Sequence, residues 1–271
     1  MLIALNSDGV RVSGIEASKE EEYYCQQCGH RVIPKKGNIK IHHFGHYPGS
    51  PPCVWWEPES EEHLLMKKRI MELLKKDNDI VFAEFEYKLN VIDGGNFNLY
   101  PDVYVELKNG KRIAVECQIS SKTLEDFIRK TIRYSRLGVY TLWLFPHNED
   151  YDVPSDFEDN FADDKELRIP SIRLQSHRWN YGRMYTMDPL TLKQYNPDIL
   201  RDRIISVHLY AEARIPEFNE YAAENFGATF EPYYPKTLRF TSSRIIKNSG
   251  ILCIENDGIK IARFYDRKWW E

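Results

Sequence analysis

Two groups of residues in this sequence have the types and spacing to do chemistry. The first is Cys25-Gln26-Gln27-Cys28, followed by His43-Phe44-Gly45-His46 and then Cys53. Soft thiolates and imidazoles at these intervals suit a tetrahedral Zn²⁺ ion. Five candidates compete for four positions, in the order Cys25, Cys28, Cys53 and then His46 or His43. A site saturated by four protein ligands is structural, and its metal would supply folding free energy on the order of 10 kcal/mol. A redox role fits less well. A redox Cys-x-x-Cys follows a strand and opens a helix, whereas Gly29 and Arg31-Val32-Ile33-Pro34 read as a knuckle turn and a strand.

The second group is acidic. Tyr100-Pro101-Asp102 and Glu116-Cys117-Gln118 fall in neighbouring strand-like segments, and the side-chain period of two puts Glu116 and Gln118 on one face. Cys117 then points the other way, as an inert core thiol. Asp102 and Glu116 held side by side would repel, and a hard divalent cation, Mg²⁺ or Mn²⁺, relieves that repulsion. Such an ion polarises a phosphoryl oxygen and lowers the pKa of a bound water, which is what phosphodiester hydrolysis requires. Lys130 and Tyr134 are four apart on the next helical segment and share a face, so they could add a cation and a phosphate contact. Glu59, His63 and Lys67 recur at four-residue intervals and form one stripe, which solvated pairing on an exposed helix would explain equally well.

The elements that must position these residues can be read from periodicity. Asp8-Gly9 between weakly alternating segments predicts a short hairpin, and the region from Cys25 to Cys53 has too few apolar runs to build a core. Leu64, Leu65, Ile70, Leu73 and Leu74 predict a helix from about Pro58 to Asp77. Strands are expected over Ile80–Leu89, Phe97–Leu107 and Lys111–Ile119, joined by turns at Asp93-Gly94-Gly95 and Asn109-Gly110. A helix from Leu124 to Leu137, stopped by Gly138, leads into a buried strand, Val139–Phe145. The order is αβββαβ.

The acidic stretch 148–166 contains Pro154, has neither period, and reads as a linker or mobile loop. Beyond it, strand-like pieces at Ile169–Leu174 and Arg183–Met187 and a helix at Pro216–Asn225 are expected, with no catalytic motif. Trp55-Trp56 suits core packing beside the knuckle better than base stacking, and Trp269-Trp270 reads as a docking tail.

Bulk properties narrow the function classes. The chain has 271 residues, 42% of them hydrophobic, enough for one large or two small domains. A net charge of −4 and a pI near 6.1 exclude a protein that coats nucleic acid by charge alone, so any such contact is local. Five cysteines, an odd number, and the lack of a basic-then-apolar opening argue for a cytoplasmic protein without disulfides. A mean hydropathy of −0.56 and no apolar run of membrane-spanning length remove membranes as partners.

The αβββαβ order with Pro101-Asp102 and Glu116-x-Gln118 resembles the PD-(D/E)XK nuclease superfamily, in which an acidic pair holds metal and a lysine usually completes the site. Gln118 stands where that lysine is expected; it can orient water or phosphate but brings no charge. The ordered set Cys25-x-x-Cys28, His43-Phe44-x-His46, Cys53, Glu59-Ser60-x-Glu62-His63 with Lys67, Asp102-Val103, Glu116-x-Gln118 with Ser120, Lys130-x-x-x-Tyr134, and Gly138 with Leu142-Trp143-Leu144 is similar to the CoiA-like competence protein family. The run extends from about residue 23 to 146. Where that family commonly has arginine this chain has Lys130, while a Glu-x-Gln site is itself typical of it.

The resemblance implies DNA processing tied to uptake and recombination of single-stranded DNA. It also implies Glu62 or Glu59 as a first carboxylate, with His63 in support.

The expected protein therefore has an N-terminal hairpin and zinc knuckle over 1–57, a restriction-endonuclease-like α/β (α+β) domain over 58–147, the acidic linker, and a mixed C-terminal region over 167–271. Its expected activity is metal-dependent DNA hydrolysis with structural Zn²⁺ and catalytic Mg²⁺ or Mn²⁺. Asp102, Glu116, Gln118, Glu62 and Lys130 would be catalytic, and Lys67, His63 and Tyr134 substrate-binding. Expected partners are DNA and other recombination or defence proteins. The alternative is a degenerate nuclease fold that binds DNA and recruits other proteins.

Overall fold

The computed structural model describes residues 1–38, 40–51, 53, 59–90, 98–119, 122–147, 166–180, 183–187, 204–210 and 237–245. Trp55-Trp56, the Asp93-Gly94-Gly95 turn, Ser120, most of the acidic stretch, the Pro216–Asn225 helix and the Trp269-Trp270 tail lie outside the described residues.

The first sheet contains β1 (Ile3–Asn6), β2 (Arg11–Ser13), β3 (Tyr23–Tyr24), β4 (Arg31–Lys35) and β5 (His43–His46), in the order β2-β1-β3-β4-β5 and antiparallel throughout. The predicted hairpin and the knuckle are thus one unit. The expectation that the knuckle region lacks a core is corrected: Met1, Ala4, Ala17, Tyr23, Cys25, Val32, Phe44 and Cys53 form a small buried cluster. The Tyr23 and Phe44 rings lie 5.1 Å apart within it. Four short strands contribute one residue each, Ala4, Tyr23, Val32 and Phe44, and the connecting segments contribute the rest, so no local run announces it.

Helix α1 (Glu61–Leu74) begins where the Ser60 hydroxyl accepts from the His63 N–H, with Glu61 and Glu62 favourably placed in its first turn. It buries Leu64, Met66, Ile70, Leu73 and Leu74. After it come β6 (Ile80–Phe85), a small β7–β8 ladder (Leu89–Asn90 with Asn98–Leu99), β9 (Val103–Leu107) and β10 (Arg112–Cys117). Gly110, at φ +77°, makes the tight β9–β10 turn. Helix α2 (Leu124–Arg136) starts at Thr123, whose hydroxyl accepts from the Asp126 N–H, and leads to β11 (Val139–Pro146). The αβββαβ core is therefore present, with the β7–β8 ladder added.

The remaining elements are β12 (Glu166–Arg168), α3 (Ser171–Trp179), β13 (Arg183–Met187), β14 (Ile204–Tyr210) and β15 (Thr237–Ile245). The expected strand at Ile169–Leu174 is instead the entry to α3: Pro170 precedes it with φ −56° and no cap hydrogen bond from its side chain. One sheet of eight strands, ordered β12-β15-β14-β13-β11-β10-β9-β6, joins this C-terminal part to the nuclease-like core. β10 and β11 are parallel with α2 as their crossover, and β13 adds to β11 in parallel. Met66, Ile70, Leu74, Val103, Val105, Ile113, Val115, Leu142 and Leu144 pack between α1 and this sheet. Helix α2 is pinned by Phe127 against Trp143, at 4.4 Å between rings, and by the Trp143 indole N–H donating to Thr131 at 3.0 Å. Among the described residues, no helix is long and apolar enough to cross a membrane.

Candidate metal centres

Tight local turns build the knuckle. The Gly29 N–H donates to the Cys25 carbonyl at 2.8 Å, the Cys25 N–H to the His30 carbonyl at 2.8 Å, and the Gln27 N–H to Cys25 Sγ at 3.4 Å. Gly29, at φ +71°, permits the reversal. β5 carries His46 back across β4, so that Cys28 Sγ and His46 Nε2 are 3.2 Å apart. Cys25, Cys28, His46 and Cys53 each present one ligand atom, all within 4.8 Å of one another. Of the two histidines the sequence left open, His46 is the one in the cluster. His43 is three residues earlier on the same strand, with Nδ1 2.7 Å from the Ile41 carbonyl. Burial pushes the Cys25 thiol up to about 12, opposed by backbone N–H donors, so only a bound cation would keep a thiolate at this depth. Three thiols and one imidazole fit a tetrahedral site for a soft or borderline metal.

The acidic site joins α1, β9, β10 and α2. His63 Nδ1 lies 3.2 Å from Glu59 Oε1 and its Nε2 lies 3.0 Å from Asp102 Oδ2, which makes Glu59, His63 and Asp102 a second group with ligand atoms within 4.8 Å. Asp102 Oδ2 also accepts from the Cys117 N–H at 2.8 Å, tying β9 to β10 beside Glu116. Glu116 is buried, with Oε2 accepting from the Lys130 ammonium at 2.7 Å and Oε1 from the Tyr134 hydroxyl at 2.5 Å. Lys67 is 1% exposed, and its ammonium donates to Glu59 at 2.8 Å and Glu86 at 2.5 Å, with Asp102 Oδ1 at 3.6 Å.

Burial works against ionisation throughout this cluster, and partner charges overcome it. For Glu59, burial is outweighed by Lys67, the amino group of Met1 and His63, which bring its carboxyl down to about 2. For Asp102, burial is outweighed by His63 and Lys67, and its carboxyl falls well below the ordinary range. Burial disfavours the charged forms of His63 and Lys67 as well, but carboxylates around them raise both. Burial and then the neighbouring Glu116 carboxylate push the Tyr134 hydroxyl far above its ordinary value, so it stays a proton donor.

The structure therefore brings Asp102, His63, Glu116, Lys130 and Tyr134 into one connected cluster, with three departures from the sequence reading. The first carboxylate in the ligand group is Glu59, which precedes the Ser60 cap of α1, while Glu62, inside the helix, is not in that group. Lys67, expected to contact substrate, is an interior counter-ion enclosed by carboxylates. Glu116, expected to share a metal with Asp102, has both oxygens held by α2, and the ligand group next to Asp102 is completed by Glu59 and His63. Gln118 is buried two residues beyond Glu116, with its N–H donating to the Leu144 carbonyl. Sequence reasoning missed Glu86, whose only signal was an acid closing an otherwise strand-like run.

A nuclease-like α/β core preceded by a Cys₃His knuckle is the class that this fold and these residues define. Residues 8–53 match the family described as "Competence protein CoiA, N-terminal domain", and residues 59–152 match "Competence protein CoiA, nuclease-like domain". Competence protein CoiA of Bacillus subtilis (strain 168) is 25% identical over 130 residues, which are 48% of this chain and 33% of that protein. The matched part thus spans about a third of that relative's length. The chain belongs to the CoiA-like competence protein family.

Proposed function

We propose that this chain is a cytoplasmic, metal-dependent DNA-processing protein that hydrolyses phosphodiester bonds, acting in competence, recombination or defence. The observation that carries this reading is the convergence of Glu59, His63 and Asp102 within ligand distance, next to a hydrogen-bonded Glu116–Lys130–Tyr134 triad. Glu59, His63 and Asp102 would hold Mg²⁺ or Mn²⁺, which when bound polarises a phosphoryl oxygen and acidifies a water. Lys130, a quarter exposed, presents a cation toward phosphate, and Glu116 and Tyr134 fix its position. Gln118 supplies hydrogen bonds where the superfamily more often has charge. Cys25, Cys28, His46 and Cys53 would hold a structural Zn²⁺ that shapes the entrance.

The test is incubation with labelled single- and double-stranded DNA in Mn²⁺ or Mg²⁺, with Asp102→Ala and Glu116→Ala in parallel. Cleavage lost in both variants is the expected result, and cleavage retained in full sinks the assigned chemistry. A second reading is favoured by one observation: Lys130 and Tyr134 already occupy both oxygens of Glu116. On that reading the chain binds DNA and recruits other proteins without cutting. A gel shift in EDTA with no cleavage in Mn²⁺ would select it.

A further inference from the structure

Glu86 is the residue where the knuckle and the acidic cluster meet. It directly follows β6 with φ +48°, and among the described residues it is the one non-glycine in the left-handed region. Side chains other than glycine rarely adopt that conformation, and surrounding structure must hold it. The bonds that hold it run in three directions. Its buried carboxylate accepts from the Leu2 and Ile3 N–H groups at 2.9 and 3.2 Å, fastening β1, and from Lys67 on α1. Its carbonyl accepts from the Gln26 side-chain amide at 3.0 Å and the Arg11 guanidinium at 3.1 Å. Its N–H donates to the Asp102 carbonyl at 3.3 Å.

Gln26 sits inside the Cys25–Cys28 turn and closes a second route to the same place. Its backbone carbonyl accepts from the Tyr100 hydroxyl at 3.0 Å, two residues before Asp102. Its side-chain oxygen accepts from Arg11 at 2.6 Å. The loop between two knuckle cysteines therefore holds the Glu86 carbonyl on one side of the Glu86–Asp102 contact and the Tyr100 side chain on the other.

We infer that Gln26 and Glu86 are positioning residues, which transmit the metal-loaded shape of the Cys25–Cys28 turn to Asp102 and Lys67. The knuckle is then a working part of the acidic site. This rests on the knuckle holding a metal and not on the protein cutting DNA.

Backbone hydrogen exchange on the full zinc-loaded chain tests it, with the Glu86 and Cys117 amides as reporters, because they donate to the Asp102 carbonyl and carboxylate respectively. In Gln26→Ala, zinc stoichiometry stays at the wild-type value while exchange at both reporters accelerates tenfold or more. Mn²⁺ affinity of the acidic cluster falls about tenfold, as expected when an outer-shell support is lost. Gln26→Glu keeps an acceptor for Arg11 but cannot donate to the Glu86 carbonyl, and it gives the same acceleration. Should Gln26→Ala fail to fold, Tyr100→Phe removes a single hydroxyl from the second route and reads the same reporters. The inference is overturned if these variants protect both reporters as the wild type does, or if stripping the knuckle metal accelerates exchange only within β1–β5. Coupled reporters in a protein that cuts no DNA would uphold the inference and remove the nuclease reading; cleavage with uncoupled reporters would do the reverse.

Discussion

The knuckle and the acidic cluster are both places where a cation fits, but they are assembled in opposite ways. The knuckle draws its ligands from one local stretch, on turns and short strands with a small core of their own. Its chemistry needs the ion: burial holds the Cys25 thiol near 12, so the anionic form is unfavourable until a metal replaces the proton. The acidic cluster instead gathers Glu59 from just before α1, His63 from its first turn, Asp102 from just before β9 and Glu116 from β10. Its carboxylates already face Lys67, Lys130 and His63. Protein cations neutralise that site before any ion arrives. On the proposed function, the difference separates a metal that would belong to folding from one that would exchange with solvent and substrate.

The largest expected effect breaks the comparison at its knuckle end. Cys28→Ala removes one of four ligands, and the stability contributed by the metal, on the order of 10 kcal/mol, is lost from β1–β5. Elemental analysis should show the loss of about one zinc equivalent, and circular dichroism should show an earlier melting transition. Stripping the acidic cluster of divalent ions with a weak chelator should leave that transition in place. A knuckle variant that melts like the wild type would make these cysteines ordinary buried thiols.

Lys67→Met comes next and probes the acidic end. It leaves Glu59, Glu86 and Asp102 without their interior ammonium, and breaking a buried pair in this way costs about 3–5 kcal/mol. Urea denaturation should show a lower midpoint with an unchanged slope. If Lys67 were a substrate contact, stability would barely move and DNA affinity would fall instead. Asp102→Asn then sharpens the contrast: Mn²⁺ affinity of the cluster, read by calorimetry, should fall at least tenfold while knuckle zinc stays constant.

This contrast also governed what could be read from sequence. Soft ligands spaced along one loop are visible as spacing, and Cys25, Cys28 and Cys53 were legible for that reason. The αβββαβ order was legible too, because α1 and α2 carry clear caps and strands β9 to β11 have apolar periods. The choice of His46 over His43 depends on which face β5 turns toward the cysteines, and nothing in the spacing decides that. Glu59 over Glu62 depends on the extended backbone at the Ser60 cap, which brings Glu59, just before α1, against His63 and Lys67, and helical spacing does not encode that. Lys67 looked like a surface cation because the carboxylates that enclose it come from residues 59, 86 and 102. The α3 helix was missed because its start, Ser171-Ile172-Arg173-Leu174, alternates polar and apolar just as a strand would.

The smallest stability effect belongs to Lys130→Met, and it discriminates most finely between the two jobs that a cation can do at the acidic end. The Lys130 side chain is a quarter exposed, so losing its bond to Glu116 should cost only about 1 kcal/mol. Tyr134 still donates to the other oxygen and keeps Glu116 in place. The freed Oε2 adds negative charge near Asp102, whose carboxyl Lys130 helps to hold low. Mn²⁺ affinity should therefore hold or rise, while affinity for single-stranded DNA, measured by fluorescence anisotropy in EDTA, falls severalfold as a phosphate contact disappears. Weaker Mn²⁺ binding with unchanged DNA affinity would instead make Lys130 a structural support of the carboxylates, like Lys67, and leave the phosphate contact to another residue.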